Sequence, residues 1–238
     1  MAASHASPAP GDRLEPTVLL QIVNLLTPQE LERLSALSRE LRFVDGRVSN
    51  PANTTKNNLQ ADYADPKYGE SSQIVQTALL RSREFNDFAL PKRIAPPLLC
   101  RYVPGMSYGA HADAALLQVG SMRLRSDLSC TVFLEDPARY EGGELSIAVG
   151  NVAIPFKGEA GSAVVYPSTT LHEVVPVRAG ERLVSISFIE SFIADAHQRT
   201  QIYELNEVAA LEGLTMKWDK RVRLNVVLQN LMRMWSTT

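Results

Sequence analysis

The stretch YGAHADAA contains two residues that could act together on one ligand. His111 and Asp113 are separated by a single alanine, in a chain with only four histidines. If the stretch is a β-strand, its side chains alternate between two faces, so the imidazole and the carboxylate point to the same side. An isolated His-x-Asp pair is common as a surface pair or a hydrogen-bonded pair, so a metal site here requires a further ligand.

His172, in YPSTTLHEVVPV, is the candidate for that ligand. Two imidazoles and one carboxylate form the facial triad of non-haem Fe(II) oxygenases, which leaves three positions on the metal open. Arg182 follows in AGERLVSISF. Its forked guanidinium suits a dicarboxylate cosubstrate, because it pairs with one carboxylate while the other end of the cosubstrate chelates the metal.

Short β-type segments with glycine-bearing turns between several of them would position these side chains. They are typical of an all-β sandwich or jelly roll. The eight segments are LLCRYVP, YGAHADA, LSCTVFLE, GELSIAV, NVAIPFK, SAVVYP, LHEVVPV and RLVSISFIES. We predict a mainly β fold with flanking helices, built on a double-stranded β-helix (jelly-roll, cupin-like) core over residues 96–192. In a jelly roll the second and seventh strands can be neighbours, which would bring His111, Asp113 and His172 to one open end.

The segment before this core, residues 16–95, is predicted to hold a strand, helices and a polar loop. TVLLQIVNLL has a strand pattern, and TPQELERLSALSREL begins as a helix because Thr27, Pro28 and Glu30 match a capping box with proline at the first helical position. SSQIVQTALLRSREFNDFAL again has helical spacing.

The polar stretch VDGRVSNPANTTKNNLQADYADPKYGE is predicted to be a long loop between the two helical segments. It is too polar to build a core, so we expect a lid that covers the barrel mouth and shields the reaction from water. A solvated, disordered loop is the alternative. The residues that could contact substrate from such a lid are Asp45, Arg47, Lys56, Asn57 and Asn58.

Residues 193–238 are predicted to form a C-terminal helical extension. Apolar residues of KRVRLNVVLQNLMRMW recur at three- and four-residue spacing, which predicts an amphipathic helix that packs on the core or forms a homodimer interface. They are Leu224, Val227, Leu228, Leu231 and Met234. His197 lies in the helical stretch after the last strand and is expected to be a surface residue, not a fourth ligand.

Composition narrows the classes of partner and compartment. The chain has 238 residues and a formal net charge of -2, without a Lys/Arg block or a run of 18 apolar residues, which argues against binding nucleic acid or spanning a membrane. Cys100 and Cys130 lie in apolar runs and are expected to be buried free thiols, in keeping with a cytoplasmic protein. Residues 1–15 lack the pattern of a signal peptide and are expected to be a disordered tail.

The sequence resembles the Fe(II)/2-oxoglutarate-dependent dioxygenases of the prolyl 4-hydroxylase-like group and, within it, the bacterial PKHD-type hydroxylases. The resemblance runs through FVDGRVS, KNNLQ, RYVPGMSYGAHAD, RSDLSCTVFLEDPARYEGGEL and AGSAVVYPSTTLHEVVPVRAGER to the helix that ends near LMRMW. It implies Fe(II) held by His111, Asp113 and His172. It also implies that Arg182 binds the C5 carboxylate of 2-oxoglutarate and that Tyr102 donates a hydrogen bond to the same molecule.

The resemblance further implies a hydroxylase that uses O₂ and L-ascorbate, converts 2-oxoglutarate to succinate and CO₂, and is linked to iron uptake. Its substrate would be a small molecule or a peptidyl residue. Two other functions remain open on the residues alone. A zinc-dependent hydrolase could use the same ligands, although Arg182 would then have no role. A non-catalytic jelly-roll sensor of a metal or ligand is the second.

Overall fold

The structure, a computed structural model, describes residues 18–237, so the tail predicted for residues 1–15 lies outside the described residues. Its strands and helices are numbered in chain order. The strands are β1 (Leu20–Ile22), β2 (Phe43–Asp45), β3 (Lys56–Asn57), β4 (Leu59–Ala61), β5 (Pro91–Ile94), β6 (Leu98–Tyr102), β7 (Ser107–His111), β8 (Leu116–Val119), β9 (Met122–Arg125), β10 (Leu128–Phe133), β11 (Glu141–Gly142), β12 (Leu145–Val149), β13 (Val152–Phe156), β14 (Ala163–Pro167), β15 (His172–Val174), β16 (Val177–Ala179) and β17 (Arg182–Ser191). The helices are α1 (Pro28–Glu40), α2 (Tyr68–Arg81), α3 (Arg83–Ala89), α4 (Ala196–Glu212) and α5 (Trp218–Trp235).

Two antiparallel sheets form the core. The larger sheet has the strand order β1-β14-β10-β17-β6-β4-β2, with β5 paired to β17, and the smaller has the order β13-β12-β15-β7-β3. Buried side chains from both sheets, such as Val165 of β14 and Ile147 of β12, belong to one hydrophobic cluster. This confirms the predicted jelly-roll class. All eight predicted segments contain strands, and the second and seventh of them, β7 and β15, are neighbours.

The β8–β9 hairpin has no counterpart among the predicted strands. Its two strands pair with each other from Leu116↔Arg125 to Val119↔Met122 and with no other strand of the described chain. Many of its side chains are exposed, so it lacks the apolar alternation by which a half-buried strand is recognised.

Helix α1 begins as its capping residues predict. The Thr27 side chain accepts a hydrogen bond from the backbone N–H of Glu30, and the Glu30 carboxylate accepts one from the backbone N–H of Thr27. Each bond satisfies a backbone donor that the first helical turn leaves free. The Glu30 carboxylate also pairs with Arg81 of α2, which fastens the two helices together and lowers the pKa of Glu30 to about 2.

Replacing Thr27 by alanine is expected to lower the free energy of unfolding by about 1 kcal/mol, the usual cost of losing a helix N-cap. Urea unfolding measures the change. Thr54→Ala is the matched control, because Thr54 is an exposed threonine outside any helix cap. A loss of stability that is equal in the two variants would contradict the capping role.

Three local predictions before the core need correction. The strand predicted over residues 17–26 is confined to β1, because the chain turns at Asn24, which has a positive φ of 57°. The second helical segment is two helices, since Ser82 ends α2 and caps α3 by accepting a hydrogen bond from Phe85. The stretch 44–70 is not one irregular loop: it holds β3, β4, most of β2, a 3₁₀ helix at Gly46–Ser49 and the start of α2. Pairing with β6 and β7, distant in sequence, orders this polar stretch.

The C-terminal extension is helical as predicted, but the buried face of α5 differs. Leu228 is buried, and Leu224, Leu231, Met232 and Trp235 pack against the same small cluster. Val227 and Met234, predicted on that face, are 48% and 72% exposed. The face turned inward is set by contact with α4, which the sequence of α5 alone does not specify. The homodimer through these helices stays a prediction.

Both cysteines of the chain are free and buried, as predicted. Burial raises the pKa of Cys100 to about 11 and that of Cys130 to about 12, so both stay protonated thiols near neutral pH. None of the described helices combines the length and the apolar composition that crossing a bilayer requires.

Candidate metal and anion site

The His-x-Asp pair lies where β7 ends. His111 is the last residue of β7, whereas Asp113 lies in the segment after it, and its backbone N–H donates to the Ser168 carbonyl at 3.2 Å. The alternation of a strand therefore does not explain why the two side chains meet. The turn after β7 and its contact with the end of β14 place the carboxylate.

The third member of the cluster comes from the neighbouring strand. His172 begins β15 and is paired directly with His111 across the two strands. Its Nε2 lies 3.6 Å from Oδ2 of Asp113, and Nε2 of His111 lies 3.8 Å from Oδ1 of Asp113. One donor atom from each residue lies within 4.8 Å of the others. The structure thus brings together the three residues that were predicted to converge.

Backbone carbonyls orient both imidazoles. Nδ1 of His111 lies 2.8 Å from the Gly109 carbonyl, and Nδ1 of His172 lies 2.9 Å from the Thr170 carbonyl. A carbonyl only accepts, so Nδ1 carries the proton in each neutral ring and Nε2 keeps its lone pair. Both lone pairs are therefore available for a metal.

The protonation state of His111 also favours metal binding. Burial lowers the pKa of His111, and the neighbouring His172 lowers it further. His111 is therefore neutral near pH 7, which is the form that can donate a lone pair to a metal. Aromatic rings enclose the pair, with Tyr108 stacked on His111 at 3.7 Å and Tyr166 edge-on to His172 at 5.1 Å between ring centroids.

Three buried serines support the carboxylate, and no pattern in the sequence predicts them. The Ser129 hydroxyl donates to Oδ2 of Asp113 at 2.6 Å and lies 2.7 Å from the Ser168 hydroxyl, which in turn lies 2.8 Å from that of Ser126. The hydrogen bond from Ser129 orients the carboxylate, which keeps further lone pairs for a metal. No motif in the sequence links these serines, because they come from different elements and meet only in the fold.

Replacing Ser129 by alanine is expected to weaken divalent-metal affinity by about 10-fold, since hydrogen bonds that orient a ligating group are worth about 10- to 100-fold. Titration with Co²⁺, followed by its visible absorption, measures the affinity. Ser185→Ala is the control, because Ser185 is also buried but makes no hydrogen bond to Asp113. Equal affinity in the two variants would remove Ser129 from the site.

Arg182 and Tyr102 face each other on adjacent strands of the larger sheet. They are paired directly between β17 and β6, and the guanidinium carbon lies 5.0 Å from the centre of the Tyr102 ring. Arg182 is only 1% exposed. Within residues 18–237, no carboxylate forms an ion pair with it, and its Nε is buried without a hydrogen-bond partner. A buried cation without a partner is costly, so an anionic ligand is its expected partner.

A glycine in the EGGE turn leaves room for the Arg182 side chain. Gly143 has a positive φ of 68°, and a Cβ atom there would lie 3.0 Å from Cδ of Arg182 and 2.9 Å from Cγ2 of Val177. Glycine tolerates both the backbone conformation and the close approach. The turn therefore packs directly against the arginine stem.

One cavity joins the metal cluster and the arginine. It encloses about 490 Å³ of space, including its open mouth, and all five predicted site residues line it. Lys56 and Asn58 from the predicted lid line it too. The other lid candidates lie outside: Asp45 and Arg47 are exposed and pair with each other, and Asn57 is exposed and donates to the Gly105 carbonyl. His197 is an exposed residue of α4, as predicted.

The donor set fits a divalent transition metal. Two imidazole nitrogens and one carboxylate oxygen converge in the lining of the cavity, which suits a metal that must also bind a cosubstrate. A jelly roll with this triad and a buried arginine in one cavity defines a class of metal-dependent, carboxylate-binding oxygenases. Comparison with known proteins agrees with that class.

Residues 97–190 match the family model of the 2OG-Fe(II) oxygenase superfamily. The chain is 48% identical over 217 residues to a PKHD-type hydroxylase of Sphingopyxis alaskensis, covering 91% of this chain and 99% of that protein. It is 39% identical to a PKHD-type hydroxylase of Thermosynechococcus vestitus, covering 92% and 99% of the two chains. The chain belongs to the PKHD-type hydroxylases. It is therefore a dioxygenase, and its superfamily implies Fe(II), 2-oxoglutarate and O₂.

Solved structures support the fold. A prolyl-4-hydroxylase from Pseudomonas putida aligns with a TM-score of 0.54 at 19% identity, covering 73% of this chain and 92% of that one. HygX from Streptomyces hygroscopicus, solved with nickel, 2-oxoglutarate and hygromycin B, aligns with a TM-score of 0.51 at 15% identity, covering 75% and 85%. At these identities the likeness concerns the fold alone.

Proposed function

We propose that the protein hydroxylates a small-molecule or peptidyl substrate while 2-oxoglutarate is oxidatively decarboxylated to succinate and CO₂. Bound Fe(II) and 2-oxoglutarate together supply the activation of O₂. The observation that carries the proposal is that the His111, Asp113 and His172 cluster lies in one cavity with the unpaired Arg182. The match of residues 97–190 to the 2OG-Fe(II) oxygenase superfamily supports the same pair of ligands here.

Three side chains hold the metal in this proposal. Nε2 of His111 and of His172 donate lone pairs, since Nδ1 of each ring is bound to a backbone carbonyl. Asp113 supplies a carboxylate oxygen, and Ser129 orients that carboxylate by donating its hydroxyl hydrogen to Oδ2. The hydrogen bonds fix the three side chains before any metal arrives, so little ordering is needed on binding.

Two further side chains hold the cosubstrate. Arg182 binds the C5 carboxylate with its planar fork, which matches the geometry of a carboxylate. Burial raises the pKa of Tyr102, so its hydroxyl keeps its proton and donates a hydrogen bond to the same molecule. Both residues are almost fully buried, which keeps water from this end of the cavity and strengthens the charge pair.

Succinate release tests the proposal. Purified protein with Fe(II), 2-oxoglutarate and air should release succinate slowly, and a true substrate should accelerate the release. A screen of amino acids, prolyl and lysyl peptides and iron-chelating metabolites would then find the substrate. Binding of Fe(II) without consumption of 2-oxoglutarate would favour the sensor. Hydrolysis supported by Zn²⁺ alone would favour the hydrolase.

Ascorbate and iron physiology complete the proposal. We propose that ascorbate, as a reductant, would keep a bound iron in the Fe(II) state and so extend the number of turnovers before inactivation. Assays with and without ascorbate compare that number. A link to iron uptake is tested by growth of a deletion strain under iron limitation.

The part of the polar stretch that lines the cavity is proposed as the substrate lid. Asn58→Ala is expected to lower the ratio of hydroxylated product to succinate several-fold, because the altered lid no longer holds substrate during turnover. Asn57→Ala is the matched control, since Asn57 is the adjacent asparagine but lies outside the cavity lining. The ratio is measured with the substrate found in the screen. An unchanged ratio for Asn58→Ala would contradict the lid.

A further inference from the structure

Buried polar residues alternate along the KNNLQ segment. Lys56, Asn58 and Gln60 are 6%, 2% and 0% exposed, whereas Asn57 is exposed and Leu59 only half-buried. Strand periodicity places every second side chain on one side, so the three polar groups share the inward side of β3 and β4. A core position of a strand normally carries an apolar side chain, because burying a polar group costs free energy unless it is bound.

Lys56 is a buried cation without an anionic partner. Its Nζ donates to the Ser49 hydroxyl at 2.7 Å, and Ser49 in turn donates to Oε1 of Gln60 at 2.7 Å. In the part of the chain that the structure describes, no carboxylate forms an ion pair with this ammonium, and Asp113 and Asp45 attract it only from a longer distance. The ring of Tyr108, whose centre lies 5.4 Å from Nζ, offers a cation–π contact. Such a contact is worth about 0.5–2 kcal/mol, against several kcal/mol for removing an ion from water.

Asn58 is a second group in the same cavity with hydrogen-bonding capacity to spare. Its amide oxygen is buried without a hydrogen-bond partner, and its amide NH₂, which interacts with the Tyr102 side chain, has a second hydrogen to donate. Gly46 packs directly against the Asn58 side chain, since a Cβ atom at Gly46 would lie 1.8 Å from Oδ1 of Asn58. The Gly46 N–H also donates to the Asn58 backbone carbonyl at 2.8 Å. The 3₁₀ helix therefore fixes the amide beside Lys56 at the cavity wall.

The charged side chains that line the cavity have an excess of one positive charge. Its lining has two cationic side chains, Lys56 and Arg182, and one carboxylate, Asp113. A divalent metal and the 2-oxoglutarate dianion carry opposite charges of equal size, so adding both leaves the net charge of the cavity unchanged. The excess of one positive charge therefore persists with cofactor and cosubstrate bound, and only a further anion would balance it.

We propose that Lys56 and Asn58 form a second anion subsite, which binds a carboxylate or comparable anionic oxygen group of the substrate. The ammonium supplies its free N–H donors and the charge, and the Asn58 amide supplies a further donor. The substrate class is thus a molecule with an anionic oxygen group. This inference rests on the proposed function, because it assigns Arg182 to 2-oxoglutarate.

Acetate is the probe, since it carries the proposed group and little else. The ¹⁵N-labelled protein is loaded with Zn²⁺ and 2-oxoglutarate, so that Arg182 is occupied, and titrated with sodium acetate at constant ionic strength. Backbone amide resonances of residues 56–58 should shift in a saturable way. Lys56→Met and Asn58→Leu should each raise the acetate Kd at least about fivefold, the loss expected for a charge-assisted hydrogen bond. Lys220→Met, which removes an exposed lysine of α5, should leave it unchanged.

Three results would overturn the subsite. The first is no saturable shift at residues 56–58 in the unaltered protein, and the second is an acetate Kd in Lys56→Met equal to that in Lys220→Met. The third is a loss of 2-oxoglutarate affinity in Lys56→Met as large as in Arg182→Met. The last would assign Lys56 to the cosubstrate. Calorimetry of 2-oxoglutarate binding to the Zn²⁺-loaded protein supplies that comparison. It also separates the two proposals, because an unaltered protein that does not bind 2-oxoglutarate contradicts the proposed function, whatever acetate does.

Discussion

Asp113→Ala is expected to lower Fe(II) affinity by at least about 100-fold and to leave the protein folded. The carboxylate is the only anionic donor of the cluster, and loss of even an orienting hydrogen bond costs about 10- to 100-fold. Asp113 is partly solvent-accessible and belongs to no helix or strand, so its removal does not open the hydrophobic core. Anaerobic titration with Fe(II) measures the affinity, and circular dichroism the folding.

Asp87→Ala is the control for this variant, because Asp87 lies on α3 in an exposed pair with Arg83. Asp113→Asn separates charge from shape: the amide oxygen still accepts from Ser129, but the negative charge is gone. We expect it to bind iron more tightly than Asp113→Ala and less tightly than the unaltered protein. Unchanged affinity in Asp113→Ala would remove Asp113 from the metal site.

Arg182→Met is expected to weaken 2-oxoglutarate binding by on the order of 2–3 kcal/mol, or about 30- to 160-fold. Without ligand, the same variant should melt no lower than the unaltered protein, because it replaces a buried, unpaired cation with an apolar side chain. The ligand should then stabilise the variant far less. Thermal melts with and without 2-oxoglutarate, and calorimetry of its binding, measure both effects.

Arg182→Lys is the companion variant. It keeps the charge but loses the planar fork, so the apparent KM for 2-oxoglutarate should rise several-fold, less than in Arg182→Met. Lower melting temperatures in both variants, with 2-oxoglutarate affinity unchanged, would make Arg182 a structural residue.

The sequence predicts most strands because their apolar and polar residues alternate locally, and it predicts the meeting of His111 and His172 because jelly-roll topology makes those strands neighbours. It does not predict where Asp113 lies, since the position depends on a turn and on a contact with Ser168. The Ser129 hydrogen bond is equally hidden, because both partners are ordinary residues until the fold joins them.

The polar segment and the last helix illustrate two further limits. Lys56 and Asn58 lie in a stretch whose composition indicates a loop, and only the pairing of β3 with β7 and β4 with β6 turns their side chains inward. In α5 the helical period is clear, yet the face that packs is chosen by α4, which leaves Val227 exposed and buries Trp235 in part. Local periodicity identifies an element, and its neighbours decide its orientation.

Each imidazole of the proposed metal site is bound to the main chain two residues before itself, His111 to the Gly109 carbonyl and His172 to the Thr170 carbonyl. A main-chain oxygen is present whatever side chain the residue carries, so no single substitution can delete either tether outright. A substitution at Gly109 or Thr170 therefore keeps the carbonyl that fixes the tautomer of each histidine. Loss of the Ser129 hydroxyl, in contrast, would remove the hydrogen bond that holds the Asp113 carboxylate. For anyone transplanting the site onto another scaffold, each histidine and its tether form a module of three consecutive residues, whereas the carboxylate needs a partner from elsewhere in the fold.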